Sequence, residues 1–296
     1  MKFTCKPYLV IVLSFLSINI FAQDIRLTLG TGVSAYLGDL MTDRVPILKQ
    51  VSSDFSIGAT YDVPSIPQFR ARLNVSLLGV KGDDAKSSDY YRRARNLNFK
   101  SSVWEVALMG EYDLADRTVY NIVPYVFGGV GVYHFNPYTY DTIAGKVFLK
   151  TVGAEGQYLG LAGYPKPYNL TQINIPLGFG IRYEVSDAMT LGVEFNYRIL
   201  FTDYLDDVSS KYVDWTKVTP TAYYTANNNY YLNLAERLGY RSSDSKYTMN
   251  LPRGNPGRKD AFYSIQITAT FKLDGISFGG SPFGGGGYNG SRHYTY

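Results

Sequence analysis

Leu191-Gly192-Val193-Glu194-Phe195-Asn196-Tyr197-Arg198-Ile199-Leu200-Phe201 is the stretch that decides the fold of this chain. Every odd position carries a large apolar or aromatic side chain, while Gly192, Glu194, Asn196 and Arg198 take the even ones up to Leu200. Successive side chains of a strand point to opposite faces, so the stretch reads as a strand with one apolar and one ionic side.

The same period recurs along the chain. Between 171 and 185, Ile173, Ile175, Leu177, Phe179, Ile181, Tyr183 and Val185 alternate with Gln172, Asn174, Gly178, Arg182 and Glu184. Between 261 and 273, Tyr263, Ile265, Ile267, Ala269, Phe271 and Leu273 alternate with Ser264, Gln266, Thr268, Thr270 and Lys272. Weaker alternation covers 25–37, 53–63, 68–80, 99–114 and 121–135. Within 121–135, Gly128, Gly129 and Gly131 interrupt the pattern, and a bulge or tight bend is expected there.

These segments are each at least as long as the ~9–11 residues of a tilted membrane strand. Their connections are unequal. Short links lie at 63–68, 114–121 and 186–188, and long ones at 38–52, 81–98, 136–170 and 202–260. Short turns at one end and long loops at the other mark an outer-membrane barrel, with periplasmic turns and extracellular loops. The expected fold is therefore all-β: an eight-stranded antiparallel transmembrane β-barrel with both termini periplasmic. A soluble sandwich or lipocalin-like barrel alternates in the same way but turns its apolar face inward. Strand length, unequal loops and the aromatic load favour the membrane barrel. Tyr61, Phe69, Tyr112, Tyr125, Tyr183, Tyr197 and Phe271 suit interfacial girdles.

Composition agrees with that reading. Of 296 residues, 45% are apolar, 16% aromatic and 18% charged, with 29 glycines. Such a chain is neither disordered nor fibrous. A mean hydropathy of −0.14 is what averaging two opposite faces yields. The single cysteine excludes a disulfide scaffold, and the formal charge of +4 is too weak to imply nucleic acid.

Residues 1–22 read as a secretory signal peptide. Lys2 and Lys6 precede an apolar run from Tyr8 to Phe21, and Ile20 and Ala22 stand at the −3 and −1 positions before Gln23. The barrel domain is expected over 23–274. Residues 275–296, rich in glycine, read as a flexible periplasmic tail.

With the apolar face toward lipid, the opposite face lines the interior. The charged residues of that parity are Arg26, Arg70, Arg72, Arg182, Arg198 and Lys272 against Asp62, Glu105, Glu111, Asp113, Glu184 and Glu194. Equal numbers of both signs suit an internal salt-bridge network, and eight strands leave room only for side chains. A filled lumen without a permeation path is expected. Paired acid/base chemistry is the competing reading of these carboxylates. His134 lies near a strand end, where some outer-membrane hydrolases place a histidine, but no nucleophile motif accompanies it. No phosphate-cradling loop or zinc-ligand spacing is present, so no cofactor and no enzymatic activity are expected.

In the last long loop, Asp203, Asp206 and Asp207 offer hard oxygens for a calcium ion, but without the spacing of a calcium loop. A solvated acidic turn is the plainer expectation. The loop also carries Tyr223-Tyr224 and Tyr230-Tyr231, suited to a protein interface or to packing the loop down, and a short helix is expected over 230–241. The arginines of Tyr90-Tyr91-Arg92-Arg93-Ala94-Arg95 could meet lipid phosphates, with a solvated loop as the alternative.

A resemblance to a known family rests on five motifs. They are Tyr36-Leu37-Gly38-Asp39-Leu40, the 91–99 stretch, Tyr125-Val126-Phe127-Gly128-Gly129-Val130-Gly131, Ile175-Pro176-Leu177-Gly178-Phe179-Gly180, and the Thr202–Ser209 run. Together they resemble the PorG-type outer-membrane β-barrels of Bacteroidetes, over most of 23–273. The resemblance implies a non-enzymatic component of the type IX protein secretion machinery, which in gliding species also serves motility. As partners it implies outer-membrane lipids and a periplasmic ring formed by a lipoprotein and its companion. A stand-alone small barrel for envelope integrity or surface adhesion is the alternative, with a lipid-modifying enzyme as a third reading.

Overall fold

The computed structural model describes residues 25–41, 50–242 and 252–273. The expected signal peptide and glycine-rich tail lie outside the described residues. Ten strands form one antiparallel sheet: β1 (Ile25–Leu37), β2 (Val51–Asp62), β3 (Phe69–Asp83), β4 (Asn98–Asp113), β5 (Ile122–Phe135), β6 (Tyr138–Asp141), β7 (Gly145–Phe148), β8 (Thr171–Ser186), β9 (Met189–Leu200) and β10 (Ala261–Lys272). Eight of them close a barrel, because β1 pairs with both β2 and β10, and β3 with both β2 and β4. The ring continues through β4–β5, β5–β8, β8–β9 and β9–β10. The alternating segments become these eight strands, with ends displaced by up to three residues. The missed pair, β6 and β7, is a small hairpin in the 136–170 connection. At four residues each, these strands are too short to show a period.

The barrel is inside out relative to a soluble one. Leu77, Leu108 and Ile267 are 58, 59 and 64% exposed, whereas Arg72, Glu105 and Arg198 are 3, 1 and 1% exposed. An apolar belt of such side chains would forfeit about 2 kcal/mol for each one left in water. Closure pairs each of the eight barrel strands with a neighbour on both sides, the condition for β-structure in hydrocarbon. No helix among the described residues is long and apolar enough to cross a membrane.

Two local expectations change. No bulge interrupts β5: its register with β8 is the same at Gly128↔Leu177 and Gly131↔Asn174. The ladder skips between those pairs opposite Pro176, which has no N–H to donate. The register shift found in the barrel lies instead between Glu184 and Ser186, beside the tight 186–189 connection. Tyr125, expected in an outer girdle, points inward and is 2% exposed. Its inward ring explains Gly180, where a Cβ would sit 2.5 Å from that ring. The outer aromatics Tyr61, Tyr112, Tyr183 and Phe271 do ring the end that carries the short turns.

Candidate functional site

Two regions concentrate buried charge: the lumen and a cap built from the long loops. In the lumen, Asp62 accepts from Arg26 (2.9 Å) and Arg117 (3.0 Å) and forms an ion pair with Arg70 at 2.9 Å. Arg70 reaches on to Asp113 at 3.3 Å. Arg72 bridges Glu111 (3.0 Å) and Glu194 (2.7 Å), and Arg182 bridges Glu111 (2.7 Å) and Asp113 (3.6 Å). Nearer the cap, Arg198 pairs with Glu105 at 3.2 Å. The aromatic column of β5 reinforces the arginines. Arg182 lies 3.6 Å from the centre of the Tyr125 ring and Arg72 lies 4.9 Å from that of Phe127. The Tyr125 hydroxyl donates to Glu194.

Glu184 and Lys272, of the same parity, line the open mouth at the short-turn end, where Glu184 accepts from Thr190 at 2.7 Å. Arg117 was missed by parity because it belongs to the 114–121 turn and reaches the interior from outside a strand. The void beside the central arginines measures only about 20 Å³, about one water. Above Arg198 the lumen is sealed by Tyr36, Phe99, Val103, Tyr133, Phe135 and Phe262, all at most 1% exposed.

The cap draws on all four long loops. It includes α1 (Tyr90–Arg95), α2 (Leu149–Val152), α3 (Ala222–Ala226) and α4 (Tyr230–Gly239), the last being the helix expected there. The α1 arginines hold neighbouring loops, with Arg93 remaining exposed. Arg95 grips Asp84 (2.7 and 2.9 Å) and the Asp39 and Arg253 carbonyls, Arg93 donates to the Ser87 and Ser88 carbonyls, and Arg92 to that of Met41. Glu155 is fully buried and ties two loops together. It accepts from the Ser209 and Ser210 amides (both 2.9 Å), the Ser210 hydroxyl (2.8 Å) and Arg253 (2.8 Å).

The acidic run is not a solvated turn: Asp203, Asp206 and Asp207 are 3, 0 and 0% exposed. The Tyr36 hydroxyl sits between Asp206 and Asp260, which in turn accept from the Val208 and Leu205 amides. Asp207, held at φ +63°, accepts from the Tyr168 hydroxyl at 2.8 Å. Tyr168 stacks between Phe135 and Tyr204, linking cap to barrel. Burial raises the Asp207 carboxyl to about 7, against the pull of Arg253. Burial likewise lifts Asp203 to about 7, helped by nearby Asp39. Burial raises Asp206 and Asp260 well above the carboxylate range. Among the described residues, no group of three or more carboxylate, histidine or cysteine side chains is placed to hold a metal ion. The buried run instead binds loop to loop.

His134 stacks on Trp104 at 5.6 Å, and its Nδ1 lies 2.9 Å from the Thr171 hydroxyl. The tyrosine pairs pack the loop down: Tyr223 stacks on Tyr158 at 4.0 Å, and Tyr224 is fully buried.

Residues 5–245 match the family described as "Domain of unknown function (DUF6089)". No curated protein matches the chain. Among solved structures, it is similar to Neisserial surface protein A at 9% identity and a TM-score of 0.40, over 84% of this chain and 97% of that one. It is similar to Ail, the attachment invasion locus protein of Yersinia pestis, determined with the heparin analogue sucrose octasulfate. There the identity is 7% and the TM-score 0.37, over 84% and 97% of the two chains. A major outer membrane protein from Thermus thermophilus gives 12% identity and a TM-score of 0.38, over 83% and 98%.

Proposed function

The chain belongs to the DUF6089 family, described by its domain and not by an activity, and on its own geometry we propose that it is a small, non-enzymatic outer-membrane barrel that holds a rigid cap at the cell surface. One observation carries this reading: the lumen is filled by ion pairs and sealed by aromatic residues, while four loops are tied into one folded body above it. A filled barrel transports nothing, so what it offers is an anchor and a displayed surface. In this reading residues 1–22 are cleaved as a signal peptide, the long loops face outward, and both termini are periplasmic. The Leu273 amide donates to the Ile25 carbonyl at 3.1 Å, so the chain enters and leaves at the same end. Envelope integrity or surface adhesion is the role that such a body supports.

Protease added to intact cells tests the orientation. Cleavage confined to the outer surface of the cap, with 275–296 spared until the envelope is opened, is expected; early loss of the tail overturns it.

A second proposal is a subunit of the type IX secretion machinery, contacting its periplasmic ring of a lipoprotein and its companion. Its support is the residue-level resemblance. Its most specific run, 202–209, builds the buried core of the cap and lies away from the short-turn end. A deletion strain assayed for export of C-terminally sorted proteins separates the two proposals. Intact export with altered surface binding or detergent sensitivity favours the stand-alone barrel; lost export favours the secretion subunit.

A further inference from the structure

On the outer wall, strand register sets residues side by side in rows. One row runs Thr31, Phe55, Leu77, Trp104; beyond it Val33 pairs with Ser53 and Gly79 with Ser102, and beyond these Ala35 pairs with Val51 and Lys81 with Lys100. Along β3 and β4 the wall thus passes from large apolar side chains, through small ones, to paired lysines at the cap end. Beyond the last β2–β3 pair, Asp54↔Leu78, lies a shallow open hollow of about 560 Å³, lined by Val33, Val51, Ser53, Lys81 and Lys100 among others.

Lys81 and Lys100 are direct cross-strand partners, an arrangement in which like charges repel. Neither has a carboxylate within ion-pair distance among the described residues. The nearby Asp83 is engaged by Lys86 at 3.6 Å and by the Ala85 amide. A third lysine continues the patch on the β6–β7 hairpin, which extends the wall from Lys100↔Tyr138. There Lys146 lies 4.0 Å from the centre of the Tyr138 ring, and Lys100 lies 5.8 Å from that of Tyr140. Two rows below the lysines, the Trp104–His134 stack presents the amphipathic rings typical of a headgroup boundary.

We propose that this outward face of β1–β4 binds a membrane lipid whose headgroup carries a phosphate monoester, a dianion, in preference to a phosphodiester. Lys81 and Lys100 share the phosphate oxygens, and an acyl chain lies down the wall over Val33, Phe55 and Leu77. A bound dianion converts the facing lysines from a repulsive pair into a clamp, and the hollow beside Val33 and Ser53 makes room for the lipid. The site rests on the reading of the chain as an outer-membrane barrel.

Native mass spectrometry of the full chain, folded into neutral detergent with added lipid, tests the site. The probes are a phosphorylated lipid A, its dephosphorylated form and phosphatidylethanolamine. The phosphorylated form is expected to remain bound preferentially. Lys81→Ala with Lys100→Ala should reduce its retention roughly tenfold or more, and Lys81→Arg with Lys100→Arg should preserve it. Equal retention of all three lipids, or no loss in the alanine pair, overturns the proposal. Full displacement of the lipid by millimolar inorganic phosphate assigns the lysines to a free anion and overturns the lipid assignment. A separate measurement of insertion into phosphatidylcholine vesicles, by heat-modifiable mobility, tests the barrel reading. Failure there counts against the membrane placement; insertion without headgroup preference counts against the lysine site alone.

Discussion

Arg72 shows what a single residue contributes in a filled barrel. Its guanidinium faces two carboxylates from different strands, Glu111 on β4 and Glu194 on β9, at 3.0 and 2.7 Å. Removing one partner of a buried pair leaves uncompensated charge, which costs about 3–5 kcal/mol. Arg72→Met is therefore expected to destabilise the barrel by about that amount, read from urea unfolding in vesicles. The outward Leu77→Val should change stability by less than about 1.5 kcal/mol. Equal effects would remove the lumen network from the account. At this scale parity is the legible part. Which face a strand residue occupies is written in its odd or even position, as for Glu194 and Arg198. Which residue it meets is not, because Arg72 and Glu194 are 122 positions apart and are joined by barrel curvature. Arg117 and Tyr125 mark the limits: one enters the lumen from a turn, and the other is an aromatic on the inward face.

At the scale of elements, the eight long strands were readable because a period of two persists over a dozen residues in each. The cap was not, because its contacts carry no local pattern. Glu155 meets Ser209 and Arg253 across 54 and 98 positions, and nothing near Glu155 in the chain announces either. The aspartates at 202–209 look solvent-facing by composition and are buried because the other loops close over them. Their burial has a pH consequence. Asp203 and Asp207 rise from an ordinary 3.8 to about 7 in the folded cap, and so bind protons more tightly there than in an unfolded loop. The stability they lend is full below about pH 4, declines as pH rises toward 7, and is flat above. Asp206 and Asp260 act in the same direction. Hydrogen exchange over 202–213, corrected for intrinsic rates, should be slower at pH 5 than at pH 8. Equal or stronger protection at pH 8 would refute the buried-acid account of the cap.

For the whole molecule, the governing relation is between a sealed interior and a wettable top. A lumen whose central void holds about one water passes no ions, so the barrel in a planar bilayer should show no conductance steps. Regular steps would contradict the seal formed by Tyr36, Phe99, Tyr133 and Phe262. The claim beneath all others is that the apolar face of each strand touches lipid. The chain has a single cysteine, at position 5, which simplifies site-directed spin labelling. With Cys5→Ser as background, Leu77→Cys, Leu108→Cys, Val193→Cys and Ile267→Cys can each be labelled and placed in vesicles, and the collision rates with oxygen and with a water-soluble nickel chelate compared. High oxygen and low nickel accessibility are expected at all four positions. High nickel accessibility at these outward positions, in protein that has folded, would contradict it.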